Sequence, residues 1–280
     1  MTGESIRTPT WFALFWVEPT ADPASTTGMV AISGAPPRLQ ATPSTPLPSG
    51  VRMLADPRGV IFQPSSPPPV PRALVDTDFS LLPAPASPPG PITVNVASLD
   101  GRFHPRVVHV TPPAALAAKG ASPIYAPLWS SLRGTSVGEA GALVINLQWS
   151  APAGALQPTA LKPGSWAVVT LACTRNGAKY GFAGQADING DVIVPLTGLP
   201  PPPGSKSAPP TPDAMTLTVH ADPTLSGAAP GADTDALLKR APTAVTVSGG
   251  ATAITSLPLV WGQINTAVTL GIAGFTLTPA

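Results

Sequence analysis

The chain has 280 residues, enough for one large domain or two ordinary ones, and each half is long enough to bury its own core. Only 10% of the residues are charged and the formal net charge is +1, which argues against a nucleic-acid partner. Pro and Gly are abundant, at 40 and 26 residues, yet 43% of the chain is hydrophobic, the opposite of a disordered composition. We therefore expect a folded chain in which short apolar segments alternate with proline-rich loops.

The apolar runs are too short for a signal peptide or a membrane-spanning helix. Residues 1–7 are mostly polar, and the apolar run at 11–17 ends at Glu18. No stretch approaches the roughly 20 apolar residues of a spanning helix. We expect no membrane insertion and a cytoplasmic assembly, which would reach the cell exterior by release as part of a particle.

Most periodic segments are typical of β-strands, because Val, Ile, Thr and aromatic residues dominate them and turn residues bound them. The predicted strands lie at residues 11–17, 50–54, 60–62, 92–96, 106–110, 142–149, 166–174, 192–196, 215–220, 244–247, 258–261 and 267–277. Two short helices are predicted at 113–119 and 233–240, the second with Asp early and Lys-Arg late, as the helix dipole prefers. This pattern predicts an all-β fold of the sandwich or barrel type.

One turn pattern occurs twice, about half the chain apart. Ala-Asp-x-x-Gly precedes an aliphatic strand at Asp56 and Gly59, and again at Asp187 and Gly190. Each copy is followed by a proline-rich stretch. A hairpin explains the pattern, since the Asp side chain caps the turn and Gly adopts the positive φ that closes it.

This repeat predicts two β-sandwich modules with long proline-rich loops. The first module is expected at residues 8–112 and the second at 142–280, joined by a connector at 113–141. The segment at 222–242 is an inserted loop that carries the second predicted helix. The apolar run at 267–277 is expected either to complete the sheet of the second module or to add to the sheet edge of a neighbouring subunit.

The turn and the strand after it resemble the carboxypeptidase regulatory-like (transthyretin-like) β-sandwich family, over about 49–110 and 142–220. The residues that carry the resemblance are Asp56, Gly59, Val60, Asp187, Gly190 and Val192. The second copy departs from the pattern by one residue, Asp191, before its aliphatic pair. The resemblance implies a non-enzymatic accessory module.

Tandem sandwiches rich in Pro and Ala are also similar to components of phage tails and bacterial contractile injection systems. The segment at 125–142, between the two predicted modules, is similar in style to the connectors of such proteins. This similarity implies a structural subunit that contacts its neighbours.

No catalytic or metal site is expected. His104 and His109 are five residues apart, which on one strand places them on opposite faces and gives poor metal geometry. Asp187 to Asp191 places oxygen atoms at alternate positions, but Gly190 is fourth in that run, whereas a calcium loop of the EF-hand type has Gly sixth. The single cysteine, Cys173, lies in an apolar strand and is expected to pack as a small hydrophobic residue.

Aromatic residues supply the candidate contact sites. Trp129 and Arg133, both in the connector, are the candidate interface residues, with Trp129 as an exposed or interface-buried anchor. Further contact regions are expected at residues 1–10, 199–212 and 222–242. An alternative is a glycan- or peptide-binding β-sandwich, which would need Trp residues on its surface. The six Trp residues are Trp11, Trp16, Trp129, Trp149, Trp166 and Trp261.

These observations predict a non-enzymatic structural subunit of a phage-tail-like or contractile injection particle. Such a subunit needs no cofactor and docks to other protein subunits of a larger assembly through loops and termini. Pairing with further copies of the same chain is left open. A third interpretation is an accessory domain of an enzyme, which is normally fused to a catalytic domain.

Overall fold

The computed structural model describes residues 12–19, 30–32, 37–47, 50–64, 91–112, 124–150, 161–203, 212–225 and 231–279. This part of the chain is nearly all β, with 52% strand and 4% helix. The predicted all-β, sandwich-like fold is therefore confirmed. Within these residues, no helix has the length and apolar character needed to cross a membrane.

The described part of the first half contains eight strands. They are β1 (Phe12–Glu18), β2 (Val30–Ala31), β3 (Leu39–Pro43), β4 (Val51–Asp56), β5 (Gly59–Pro64), β6 (Ile92–Ser98), β7 (Arg106–Val110) and β8 (Ile124–Pro127). In one sheet, β1 pairs antiparallel with β2 and β5 and parallel with β8, and β4 pairs with β5. A second sheet has the order β3-β6-β7.

The core of the first half lies between these two sheets. Phe12 and Phe62 stack in it with ring centroids 4.3 Å apart. Ala126 and Leu128 belong to the same core, although they lie in the predicted connector. The chain from β8 to Leu128 is therefore a structural part of the first half.

The second half begins with a long buried strand. Its elements are β9 (Gly141–Trp149), β10 (Val168–Arg175), β11 (Ala178–Gln185), β12 (Asp191–Pro195), β13 (Asp213–His220), α1 (Thr234–Leu238), β14 (Ala244–Val247), β15 (Ser256–Leu259), β16 (Gln263–Thr266) and β17 (Phe275–Thr278). One sheet has the order β11-β10-β13-β15. The other has β9 at its centre, paired antiparallel with β12 and parallel with β16 and β17, and β17 pairs with β14. A second apolar core, drawn from residues 140–277, fills the space between them.

Two predictions about the second half differ from the structure. The helix predicted at 233–240 is α1, shorter than expected, with Asp233 as the N-cap that accepts from the backbone N–H groups of Asp235 and Ala236. The single strand predicted at 267–277 is wrong: residues 267–271 form turns, and only Phe275–Thr278 is a strand. That strand pairs with β9 and β14 of its own chain, which explains its apolar character. The helix predicted at 113–119 lies outside the described residues.

The two halves meet where β7 of the first contacts the segment before α1 of the second. Arg106 forms a parallel bridge with Ala232, whose carbonyl accepts from the N–H of Val107 at 3.1 Å. A small apolar cluster of Trp166, Ala232 and Leu237 lies beside this bridge. The junction is thus built from main-chain pairing as well as side-chain packing.

Candidate functional site

The Asp56 turn closes a hairpin, as predicted. β4 and β5 pair from Val51 opposite Pro64 to Asp56 opposite Gly59, which leaves a two-residue loop. The Asp56 carboxylate accepts from the N–H of Arg58 at 2.8 Å. The predicted reason for the glycine is wrong, because Gly59 does not have a positive φ. A Cβ there would instead overlap the carbonyl oxygen of Leu14, so Gly59 lets β1 approach closely.

The hairpin predicted at Asp187 is wrong. β11 and β12, which it connects, belong to different sheets of the second half. Asp187 accepts from the N–H groups of Asn189 at 2.8 Å and Asp191 at 3.0 Å. Gly190 has a φ of 83°, as the sequence predicted, and a Cβ there would overlap the carbonyl oxygen of Leu147. The pattern that closes a hairpin at Asp56 therefore connects two different sheets at Asp187.

Of the two candidate interface residues, only Arg133 is exposed. Trp129 is 2% exposed, so it is buried within its own chain and does not provide a surface anchor. Its carbonyl accepts from the N–H of His104 at 2.8 Å, and its neighbour Ser130 bridges to Phe103. The segment around Trp129, predicted as a contact region for other subunits, instead pairs through its backbone with the loop before β7.

The other described Trp residues are also covered. Trp16, Trp149 and Trp166 are buried, and Trp261 is half-buried with its indole N–H donated to the carbonyl of Leu199 at 2.9 Å. Trp11 lies outside the described residues. None of the five described Trp residues presents an exposed ring face of the kind that stacks on sugars.

The junction between the halves holds a buried histidine. Burial lowers the pKa of His104 to about 4, while the carboxylate of Asp187 and a hydrogen bond to the backbone of Gln185 act in the opposite direction. The imidazole meets the edge of Trp166 in a T-shaped contact, with centroids 6.1 Å apart. His104 is therefore neutral at pH 7 and packs as an aromatic side chain.

One ion pair and one histidine–aspartate contact cross the same junction. Arg106 is buried, donates to the carbonyl of Pro127, and pairs with Asp235 at 3.1 Å. Burial lowers the pKa of the Arg106 guanidinium, and the charges of Asp235 and Asp233 raise it. His109, on the exposed face of β7, lies 3.5 Å from Asp233. Burying an unpaired cation costs free energy of folding, and the ion pair with Asp235 offsets part of that cost for Arg106.

The remaining titratable groups do not form a metal centre within the described residues. There, no three or more His, Cys, Asp or Glu side chains come together in a group that could hold an ion. His220 bonds to the carbonyl of Arg240 at 3.0 Å. Cys173 is a half-buried free thiol whose pKa is raised by burial and by Asp213, so it is held in the unreactive thiol form.

An exposed apolar surface lies on the outer face of the first sheet. Phe15 is 38% exposed, Tyr125 is 45% exposed and Leu54 is 43% exposed. Phe15 and Tyr125 are register partners on β1 and β8, with ring centroids 6.3 Å apart, and Leu54 on β4 is opposite Ile61 on β5. We call this set, Phe15, Leu54, Ile61 and Tyr125, the outer apolar face. Contiguous exposed apolar side chains mark interaction surfaces.

Sequence reasoning missed this surface. The run from Phe12 to Val17 is entirely apolar, so it shows no alternation that would separate inner from outer positions. One signal in the sequence could have found it. Side chains alternate between the two faces of a sheet, so Phe15 lies on the face opposite to Leu14 and Trp16. Of the predicted contact regions, residues 1–10 lie outside the described part, and 199–212 and 222–242 are described only in part.

A second open surface, a groove of about 480 Å³, lies beside β14 and β17. Its lining is rich in hydroxyl groups, including those of Ser150, Thr246, Ser248 and Thr276. Two of them, Ser248 and Thr276, bond to each other at 3.0 Å, so part of this polar capacity is satisfied within the chain.

No protein-family model, curated protein or solved structure matches the chain.

Proposed function

We propose that the chain is a non-enzymatic structural subunit that docks to neighbouring protein subunits through the outer apolar face. The exposure of Phe15, Leu54 and Tyr125 on a single sheet face supports this proposal. Aromatic residues are enriched at protein interfaces, since they bury a large area at a low cost in side-chain entropy. The low charge content, 10% of the residues, also suits a surface that partners cover.

The rigidity of the surface also favours docking. Phe15 and Tyr125 project from paired strands, and Leu54 projects from a hairpin that Asp56 caps. Side chains held by a sheet lose less freedom on binding than side chains on free loops. The sequence indicated docking through loops and termini. The proposed docking site is instead a sheet face.

The assembly that we propose is a phage-tail-like or contractile injection particle. The support for this class is the similarity of the tandem, proline-rich sandwiches to components of such particles. The glycan-binding alternative has less support, because the five described Trp residues are buried or half-buried. The proposal assigns no catalytic residue and no cofactor.

Co-sedimentation tests the proposal. The tagged full chain would be expressed in the cells that encode it, and large particles would be separated from free protein and viewed by electron microscopy. We expect the chain in tail-like particles, and Tyr125→Glu to lower its bound fraction about tenfold by placing a charge in a buried contact. The matched control is Val268→Glu, at an 87% exposed apolar residue of the second half, which should sediment as wild type.

Two results would contradict the proposal. One is a wild-type chain found only as free protein in those cells. The other is equal incorporation of Tyr125→Glu and wild type into the particles, when circular dichroism shows that both proteins are folded.

A further inference from the structure

One edge of the first sheet carries a pattern that is complementary to itself. β4 is the last strand of that sheet, and no described strand pairs with its outer edge. An unpaired edge offers free N–H and C=O groups to another strand.

The backbone of β4 sets the spacing of those free groups. The pair Asp56–Gly59 flanks a two-residue turn, and such a pair is hydrogen-bonded in a hairpin. Alternation along the antiparallel ladder then turns the N–H and C=O groups of Met53 and Ala55 away from β5. Pro57 follows with no N–H, so it ends any ladder on this edge.

The side chains of β4 set the register. Arg52, Leu54 and Asp56 are alternate residues, so they lie on the same face of the sheet, and all three are exposed. A basic and an acidic residue thus stand at equal distances on either side of an apolar one. When such a strand is rotated by 180° about its centre, every charge meets its opposite.

We propose that two copies of the chain pair antiparallel through β4 about a two-fold axis at Leu54. In this arrangement Arg52 of each copy lies opposite Asp56 of the other, and Leu54 lies opposite its own counterpart. The outward backbone groups then pair Met53 of each copy with Ala55 of the other. This inference rests on the proposed function, since it names a second copy as one neighbour and β4 as the contact.

The local contacts leave both charges able to pair. Arg52 donates one N–H to Gln63 at 3.0 Å, and a guanidinium has further donors for a carboxylate. Asp56 uses its Oδ1 for the turn, and its Oδ2 can accept from the second copy. Antiparallel registers whose two-fold axis lies elsewhere on β4 place Arg52 opposite residues such as Leu54 or Met53, so the charges select the register centred on Leu54.

The pairing also extends the outer apolar face. Leu54 belongs to that face, so joining two sheets at β4 brings the faces of both copies together into one surface. A ladder this short makes a small interface, so we expect a dissociation constant of roughly 10–100 μM.

Charge reversal provides the first test, by sedimentation equilibrium of the purified full chain. The variants are Arg52→Asp, whose strand carries two acidic residues, and Asp56→Arg, whose strand carries two basic ones. Each variant alone should dimerise about tenfold more weakly than wild type, because two like-charged pairs face each other across the axis. A mixture of the two should form a heterodimer at least as tight as the wild-type dimer.

The heterodimer makes this test independent of folding defects, since a misfolded variant would not regain association when mixed. A wild-type chain that stays monomeric up to about ten times the expected dissociation constant would overturn the proposal. So would a mixture that associates no better than either variant alone.

Disulfide trapping provides the second test. Residues opposite each other in a non-hydrogen-bonded antiparallel pair have Cα atoms about 4.5 Å apart, which suits a disulfide. Leu54→Cys should therefore form a covalent dimer under mild oxidation, and the matched control Val268→Cys should not. Both variants keep Cys173, so any contribution from that thiol is common to them. Equal trapping of the two variants would refute the register.

The two proposals can fail separately. A chain that is monomeric in solution but present in particles refutes the β4 pairing and leaves the docking function intact. A chain that dimerises through β4 but occurs in no particle refutes the proposed assembly and leaves the pairing intact.

Discussion

Asp56 and Asp187 begin the same four-residue pattern, yet their turns lie in contrasting surroundings. The Asp56 turn ends the exposed strand β4, and its aspartate and glycine serve one sheet. The Asp187 turn joins two sheets of the second half, and its carboxylate acts on His104 of the first half. A repeated turn sequence therefore does not imply a repeated role: one copy ends a strand at an open sheet edge, and the other lies beside the junction between the halves.

The largest difference between the turns should appear at their glycines. In Gly190→Ala, a positive φ and an overlap with the carbonyl of Leu147 act together, so we expect the free energy of unfolding to fall by about 3–5 kcal/mol. In Gly59→Ala, only the overlap with Leu14 acts, and the expected loss is about 1–3 kcal/mol. Urea denaturation of both variants measures the difference. Equal losses would show that the φ of Gly190 is not strained for alanine.

Acid should weaken the junction that the Asp187 turn supports. The pKa of His104 is about 4 in the folded chain and about 6.5 when unfolded, so between these values only the unfolded chain binds the proton. The stability supplied by the neutral imidazole is complete above pH 6.5 and is lost as the pH falls towards 4, by up to about 3 kcal/mol.

The variant His104→Phe should remove that contribution, since phenylalanine keeps an aromatic ring at the junction and does not titrate. Its free energy of unfolding should therefore fall less steeply than that of wild type between pH 6.5 and 4. The matched control is His220→Gln, whose ring nitrogen bonds to the carbonyl of Arg240 within the second half. Parallel curves for wild type and His104→Phe would show that His104 is not buried as described.

The smallest effects should come from the two aspartates. Asp187→Ala removes an acceptor of two backbone N–H groups and should cost about 1–2 kcal/mol. Asp56→Ala removes an acceptor of one, at an exposed turn, and should cost about 0.5–1 kcal/mol. Thermal unfolding at neutral pH measures both. A greater loss at Asp56 would reverse the comparison between the turns.

The sequence predicted the strands that carry dense β-branched or aromatic residues and missed those that do not. Arg106–Val110 and Ala244–Val247 are found at their predicted bounds. β11 (Ala178–Gln185) was missed because Ala and Gly disfavour strands, and its pairing with all eight residues of β10 overrides that preference. β8 was missed because it is short, contains Pro, and pairs with a strand far away in sequence.

For a related reason, the sequence could not predict the outer apolar face or the junction. Exposure at Phe15 and burial at Trp129 both depend on which parts of the folded chain cover them. Both are properties of the tertiary arrangement, which local composition does not encode. The turn residues were predicted because a turn is local, although its partners are not.

Amide hydrogen exchange tests the docking edge most directly. The full chain would be labelled well below and well above the dissociation constant found by sedimentation, and exchange would be followed at Met53 and Ala55 and, as an internal reference, at 187–191. We expect the two β4 amides to become protected at high concentration while the Asp187 turn stays unchanged. Unchanged exchange at Met53 and Ala55, in a sample that has associated, would contradict docking through this edge.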